Sequence, residues 1–171
     1  MIPRFAPHRS PTHFGALLFV LCAALVGGSF FIQHVLLVEP CPLCMVQRYT
    51  YAVLALIFLA VALAAGRPGA QRGLLALALL FVLAGGGVAA YQSQLQLFPP
   101  AAAATCSASL DYMLDTLPVN EVVARLFEAH GDCSDTSFTI LGLTLAQISF
   151  GIFAGLLLAL VVTLTRRPAL S

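Results

Sequence analysis

Residues 39–48 read "EPCPLCMVQR" and hold two of the chain's five cysteines, Cys41 and Cys44, spaced as C-x-x-C. The others are Cys22, Cys106 and Cys133. A C-x-x-C ring is short, strained and prone to exchange, so a purely structural cross-link there would constrain little. If Cys41 caps a helix, Pro42 suits its first position. Cys44 then falls in the first turn, where unpaired N–H groups and the helix dipole favour an anion. Arg48 follows at i+4, on the same face and about 6 Å along the axis. Both neighbours favour a thiolate at Cys44, the form that attacks disulfides. Other chemistries fit worse. A haem-attachment motif needs histidine after the second cysteine, and residue 45 is methionine. A zinc site needs a second compact ligand pair, so no metal is assigned. A thioredoxin-like unit needs alternating strands and helices, and the chain shows no such pattern.

The elements that position these residues read as membrane helices. The chain has 171 residues, 60% hydrophobic and 9% charged, with no lysine and no tryptophan. Soluble domains carry roughly 25% charged residues. Four apolar stretches, near 14–38, 45–65, 74–95 and 141–164, reach the ~20 residues that a spanning helix requires. Lipid cannot satisfy open backbone groups, so helices are the expected element. The first stretch is too long for the ~7–15 residue apolar core of a cleaved leader and reads as a retained helix. The expected fold is therefore all-α, one integral membrane domain over 1–171 built as a transmembrane four-helix bundle. Arg4, Arg9, Arg67, Arg72, Arg166 and Arg167 fall on one side, and all the acids, from Glu39 to Asp135, on the other. The arginine-rich side is the cytoplasmic one, which places both termini inside and the 39–44 and 96–140 loops outside. The net charge of +1 gives no footing for nucleic acid.

The long outer loop carries its own pattern. Leu110, Met113, Leu114 and Leu117 recur at helical spacing, Pro118 interrupts, and Asn120 could cap a second short helix with Val122, Val123, Leu126 and Phe127 on one face. These two amphipathic helices would pack on the bundle top or lie in the lipid interface. Four of the five cysteines lie in outer loops, an oxidising location in which pairs form disulfides. Static cross-links are one reading. Closing the Cys106–Cys133 loop would add about 3.5 kcal/mol by chain entropy. Thiol–disulfide exchange between the two pairs is the other. Cys22 reads as a small buried apolar residue.

Polar residues gather at the outer helix ends: Gln33 and His34, then Arg48, Tyr49 and Tyr51, then Gln92, Ser93, Gln94 and Gln96, then Gln147 and Ser149. Singly each suits a membrane interface. Together, beside a reactive thiol, they suit a polar ligand site at the lipid edge. A lipid-soluble two-electron acceptor such as a quinone fits that place. "GGG" at 85–87 reads as close helix packing.

Over nearly its whole length the sequence resembles the DsbB family of disulfide-forming membrane proteins. The resemblance rests on "FIQHVLLVEPCPLCMVQR", "LQLFP", "GDC" around Cys133 and "LGL" before the fourth span. It implies a protein of the bacterial inner membrane that reoxidises a soluble periplasmic DsbA-like thiol oxidase and passes electrons to ubiquinone or menaquinone. In the implied sequence the partner attacks Cys106, Cys133 is released to attack Cys41, and Cys44 is freed beside Arg48. Gln33, His34 and Gln147 are weaker candidates for lining the quinone site. The best-studied members carry a histidine near the end of helix three; here "AYQSQLQLFP" has none, and Gln92 stands about there. Two alternatives stay open. One is a related bundle, such as a vitamin K epoxide reductase-like protein, with another thiol partner or the opposite direction. The other is a membrane scaffold with static disulfides.

Overall fold

The computed structural model describes residues 11–37, 40–98, 117–121, 136 and 139–165. Helix α1 runs Pro11–Val35, α2 Pro42–Leu63, α3 Pro68–Leu97 and α4 Leu145–Thr165; β1 (Thr139–Ile140) and β2 (Leu143–Thr144) precede α4. All four helices are long and apolar enough to cross a membrane. The chain is a multi-pass membrane protein with an all-α four-helix bundle. Cys106, Cys133 and most of the two amphipathic segments expected in the outer loop lie outside the described residues. Of those segments, Val119, Asn120 and Glu121 are helical, and the Glu121 N–H donates to the Pro118 carbonyl at 2.8 Å. Asn120 is thus inside the turn, not at its cap.

Consecutive helices pack as neighbours, α1 on α2, α2 on α3 and α3 on α4. Helix α2 also reaches α4, since the Tyr51 ring stacks on Phe153 with centroids 4.5 Å apart. Of α2's apolar window 44% is buried inside the bundle, against 17% for α1, so α2 is the central element. Its Leu54, Phe58 and Val61 meet Leu18 and Cys22 of α1, Ala78 and Val82 of α3, and Phe153, Leu156 and Leu160 of α4 in one buried cluster. Other large apolar side chains of the spans, such as Leu17, Phe31, Leu56 and Leu80, are exposed on the outside of the bundle, as a lipid solvent permits.

Two glycines set how closely the helices approach. A Cβ on Gly15 would lie 2.9 Å from the Phe58 carbonyl oxygen, backbone that cannot yield. A Cβ on Gly85 would lie 2.6 Å from Phe153 Cε1 and 2.9 Å from Thr50 Cγ2. The expected packing role of the glycine run therefore falls on Gly85, whereas the Cβ position of Gly87 is open.

The helix ends depart from the apolar stretches for local reasons. Helix α1 stops at Val35 because Leu37 turns left-handed, φ 54°, a conformation that costs an L-residue about 1–2 kcal/mol. Helix α2 closes with the Ala64 N–H on the Ala60 carbonyl at 2.9 Å, followed by Gly66 at φ 79°, a common glycine stop. Helix α3 begins at Pro68, six residues before the apolar stretch, because proline suits a helix's first turn and Gln71 Nε2 donates to the Val61 carbonyl at 3.2 Å. At about 45 Å, α3 outreaches the hydrocarbon core and carries Gln92 and Gln96 to the end of the bundle where α2 begins. The segment from 141, expected as the start of the fourth span, is instead a hairpin. Leu141 and Gly142 take φ 54° and 81°, the two left-handed positions of a tight β-turn, and pair Ile140 with Leu143.

Candidate functional site

Cys41 is the N-cap of α2, as its spacing implied, with extended backbone and Pro42 as the first helical residue. Its Sγ accepts the Cys44 backbone N–H at 3.3 Å, so sulfur takes the capping position usually filled by oxygen. The two sulfurs lie 2.8 Å apart. The C-x-x-C spacing alone brings them together, because the cap and the third helical residue share one turn.

A third group closes on the pair from α3. Gln92 Nε2 donates to Cys41 Sγ at 3.2 Å and to Cys44 Sγ at 3.1 Å. Its Oε1 accepts from Gln47 Nε2 at 2.7 Å. Both glutamines are buried, Gln92 with 2% of its surface exposed. Gln47 lies three residues after Cys44 and so on a neighbouring part of the same helix face.

Arg48 turns the other way, toward α1. Its Nη1 donates to Gln33 Oε1 at 2.6 Å and its Nη2 to the Ser29 carbonyl at 3.3 Å. The guanidinium carbon lies 4.6 Å from the centre of the Phe30 ring, a cation–π contact. The residue is 8% exposed, and its Nε is buried with no hydrogen-bond partner among the described residues. An unspent N–H in such a place is costly unless something accepts it.

The other expected residues go elsewhere. His34 is exposed and stacks on Phe30, rings 1° apart in plane and 6.1 Å apart. Gln147 belongs to the α3–α4 corner. Its backbone N–H donates to Thr144 Oγ1 at 3.3 Å, and its Oε1 accepts the Thr144 N–H at 3.1 Å. This is a capping box, and the Thr144 hydroxyl donates onward to Gln96 Oε1 at 2.6 Å. Tyr51 points inward, its hydroxyl 2.9 Å from that of Ser149, while Tyr49 is exposed. The polar rim is thus several small networks rather than one ring. Cys41, Cys44, Gln92 and Gln47 form the first, Arg48, Gln33 and Ser29 the second.

Gln47, Ser29, Phe30 and Thr144 were not singled out from the sequence. Thr144 had a usable signal, since "TLAQ" before an apolar run has capping-box spacing. Gln47 had a weaker one, an amide on an apolar helix at i+3 from Cys44. Ser29 and Phe30 had none, because only the α1–α2 packing brings them to Arg48.

Residues 11–163 match the sequence profile of the family described as Disulfide bond formation protein DsbB. The chain is 41% identical over 152 residues to Disulfide bond formation protein B of Azoarcus sp. (strain BH72), covering 87% of this chain and 90% of that one. It is 39% identical to the Polaromonas sp. (strain JS666) protein of the same name, covering 88% and 89%. Against Disulfide bond formation protein B 1 of Pseudomonas aeruginosa (strain PAO1) the identity is 35% over 161 residues, covering 94% and 99%.

Proposed function

Because the chain belongs to the DsbB family of disulfide bond formation proteins, we propose that it reoxidises a periplasmic DsbA-like thiol oxidase and delivers the electrons to a membrane quinone. It does so in the bacterial inner membrane with both termini cytoplasmic, the orientation that the arginine distribution favours. The single observation that carries this reading is the Cys41–Cys44 pair at the start of α2, with hydrogen-bond donors on its sulfurs.

The exchange balances without any further reagent. A partner thiolate bonds Cys106 Sγ, and the Cys106–Cys133 bond breaks with its electron pair leaving on Cys133. The partner's second thiolate then bonds its first sulfur and releases Cys106, so the partner leaves oxidised. Cys133, as thiolate, bonds Cys41 Sγ, and the Cys41–Cys44 bond breaks with its pair on Cys44. Cys106 then displaces Cys41 from Cys133, restoring the outer disulfide and leaving two reduced sulfurs at the start of α2. Each round moves two electrons from the partner to Cys41 and Cys44.

The residues around Arg48 fit a quinone, ubiquinone or menaquinone. The buried Nε–H is an unspent donor among the described residues, suited to a carbonyl oxygen, and Gln33 and the Ser29 carbonyl hold the guanidinium in place. A bound quinone would supply a lipid-soluble acceptor for two electrons and two protons. His34 would act at one remove, by stacking on Phe30, and Gln147 by anchoring α4.

The test uses purified protein, a reduced DsbA-like protein and ubiquinone-1 followed by absorbance. Quinone reduction that depends on the partner is expected. A Cys133→Ala chain mixed with the oxidised partner should instead hold a mixed disulfide on nonreducing gels, because Cys106 opens the partner's disulfide and no Cys133 is present to reopen the adduct. No quinone reduction and no trapped adduct would overturn the proposal in favour of a scaffold with static disulfides.

A further inference from the structure

The amide of Gln92 has little freedom left. Its Oε1 takes the Gln47 N–H at 2.7 Å, and its Nε2 faces Cys41 Sγ and Cys44 Sγ at 3.2 and 3.1 Å. An NH2 group has two donors, one for each sulfur. Both side chains are buried, Gln47 at 5% and Gln92 at 2% exposed. A buried amide end left unmatched is costly, so the direction of the Gln47 bond determines which end Gln92 shows the sulfurs. Gln47 donates, Gln92 accepts with oxygen, and nitrogen is left for sulfur.

We propose that Gln92 is a further catalytic residue of the Cys41–Cys44 pair, a neutral donor to whichever sulfur carries charge, and that Gln47 is its positioning residue. The inference rests on the thiol-exchange reading above. When an incoming thiolate bonds Cys41, the Cys41–Cys44 bond breaks and the electron pair leaves on Cys44. An N–H already stands 3.1 Å from that atom. When the pair re-forms its disulfide, the same donor moves no proton and gains no charge. An amide does not titrate, so it serves equally at every physiological pH. Donors held in place before charge develops are the most effective kind.

Two variants test it by different routes. Gln92→Met keeps the size and removes the donor. Gln47→Met keeps Gln92 and the net charge but takes away the donor that fixes its Oε1, so the Gln92 NH2 is no longer held on the sulfurs. In the reduced full-length protein, alkylation of Cys44 by iodoacetamide is followed by peptide mass spectrometry across pH. Both variants are expected to react roughly tenfold more slowly at neutral pH, with the pH profile displaced upward by about one unit. Gln96→Met, an amide of the α3–α4 corner, is expected to keep the wild-type rate and profile. Partner-dependent quinone reduction is measured on the same preparations. Wild-type alkylation rates in both variants, while the wild-type chain passes electrons, overturn the role of Gln92 alone. Slowed alkylation in both variants, while the wild-type chain passes no electrons, leaves Gln92 as the donor to Cys44 and overturns the proposed function. If Gln92→Met does not fold, Gln47→Met decides, since it leaves the donor in place, alters no charge and removes only what aims it.

Discussion

Arg48 is held by one strong and one weaker hydrogen bond, both to α1. The 2.6 Å bond to Gln33 is charge-assisted and the shorter of the two, and such bonds are roughly twice as strong as neutral ones. Gln33→Leu removes it while leaving the cation in the chain. Losing a hydrogen bond to a buried cation should cost about 1.5–3 kcal/mol, lessened where the guanidinium can snorkel toward the headgroups. The expected result is a rise of about tenfold in KM for ubiquinone-1, with partner exchange at Cys106 unaltered. An unchanged KM would remove Gln33 from the acceptor site. The residue scale is also where the sequence was most legible for one pair and least legible for another. Cys41 and Cys44 are read from spacing because a helix start joins positions three apart. Arg48 and Gln33 are fifteen residues apart, and nothing in the covalent chain says that α1 and α2 meet there.

At the scale of elements, Gly85, Phe153 and Tyr51 form one packing chain across α3, α4 and α2. Gly85 makes room for the Phe153 ring, which stacks on Tyr51. Gly85→Ala would drive a methyl group into that ring. Overpacking costs about 1–3 kcal/mol, offset by about 1 kcal/mol of gained helix propensity. A net loss of up to about 2 kcal/mol is expected, read as a lower unfolding temperature in detergent. Cys44 alkylation should be unchanged, because Gln92 lies two turns farther along α3. A stability equal to wild type would mean that the ring shifts aside freely. The "GGG" run signals close packing somewhere, yet only the observed face selects Gly85 over Gly87. The hairpin at 139–144 was hidden for a different reason. "TILGLT" is apolar enough to pass for helix, and a leucine at φ 54° contradicts its own conformational preference. The two-residue turn and the capping box at Thr144 outweigh that local cost.

At the scale of the whole molecule, the proposed orientation makes its own prediction. A membrane-impermeant maleimide applied to intact cells should label Cys41 or Cys44 after mild reduction. In a background without the native cysteines, Gly69→Cys, where a Cβ meets no neighbour, should resist the reagent until the cells are opened. Labelling of Gly69→Cys from outside would invert the topology. The bundle is also uneven. Helix α2 is the most buried of the four and holds the C-x-x-C turn, while α1 is the least buried. The thiol pair is therefore rooted in the most buried helix, and the arginine leans on the least buried one. Disturbance of α1, as by Gln33→Leu, should reach the acceptor site before it reaches the sulfurs.

What the chain determined by itself follows from local rules: apolar length makes spanning helices, and a proline-led C-x-x-C caps the helix it begins. These need only neighbouring residues and a lipid solvent. Only the tertiary structure decided that Gln92, fifty-one residues from Cys41, turns its amide to the sulfurs, that Gln47 aims it, that Gln147 closes the capping box with Thr144 and that His34 stacks on Phe30. Helix rotation and depth are set by how side chains from separate spans interlock, with Gly15 and Gly85 admitting their neighbours. Periodicity along one span carries no record of the face that another span will meet.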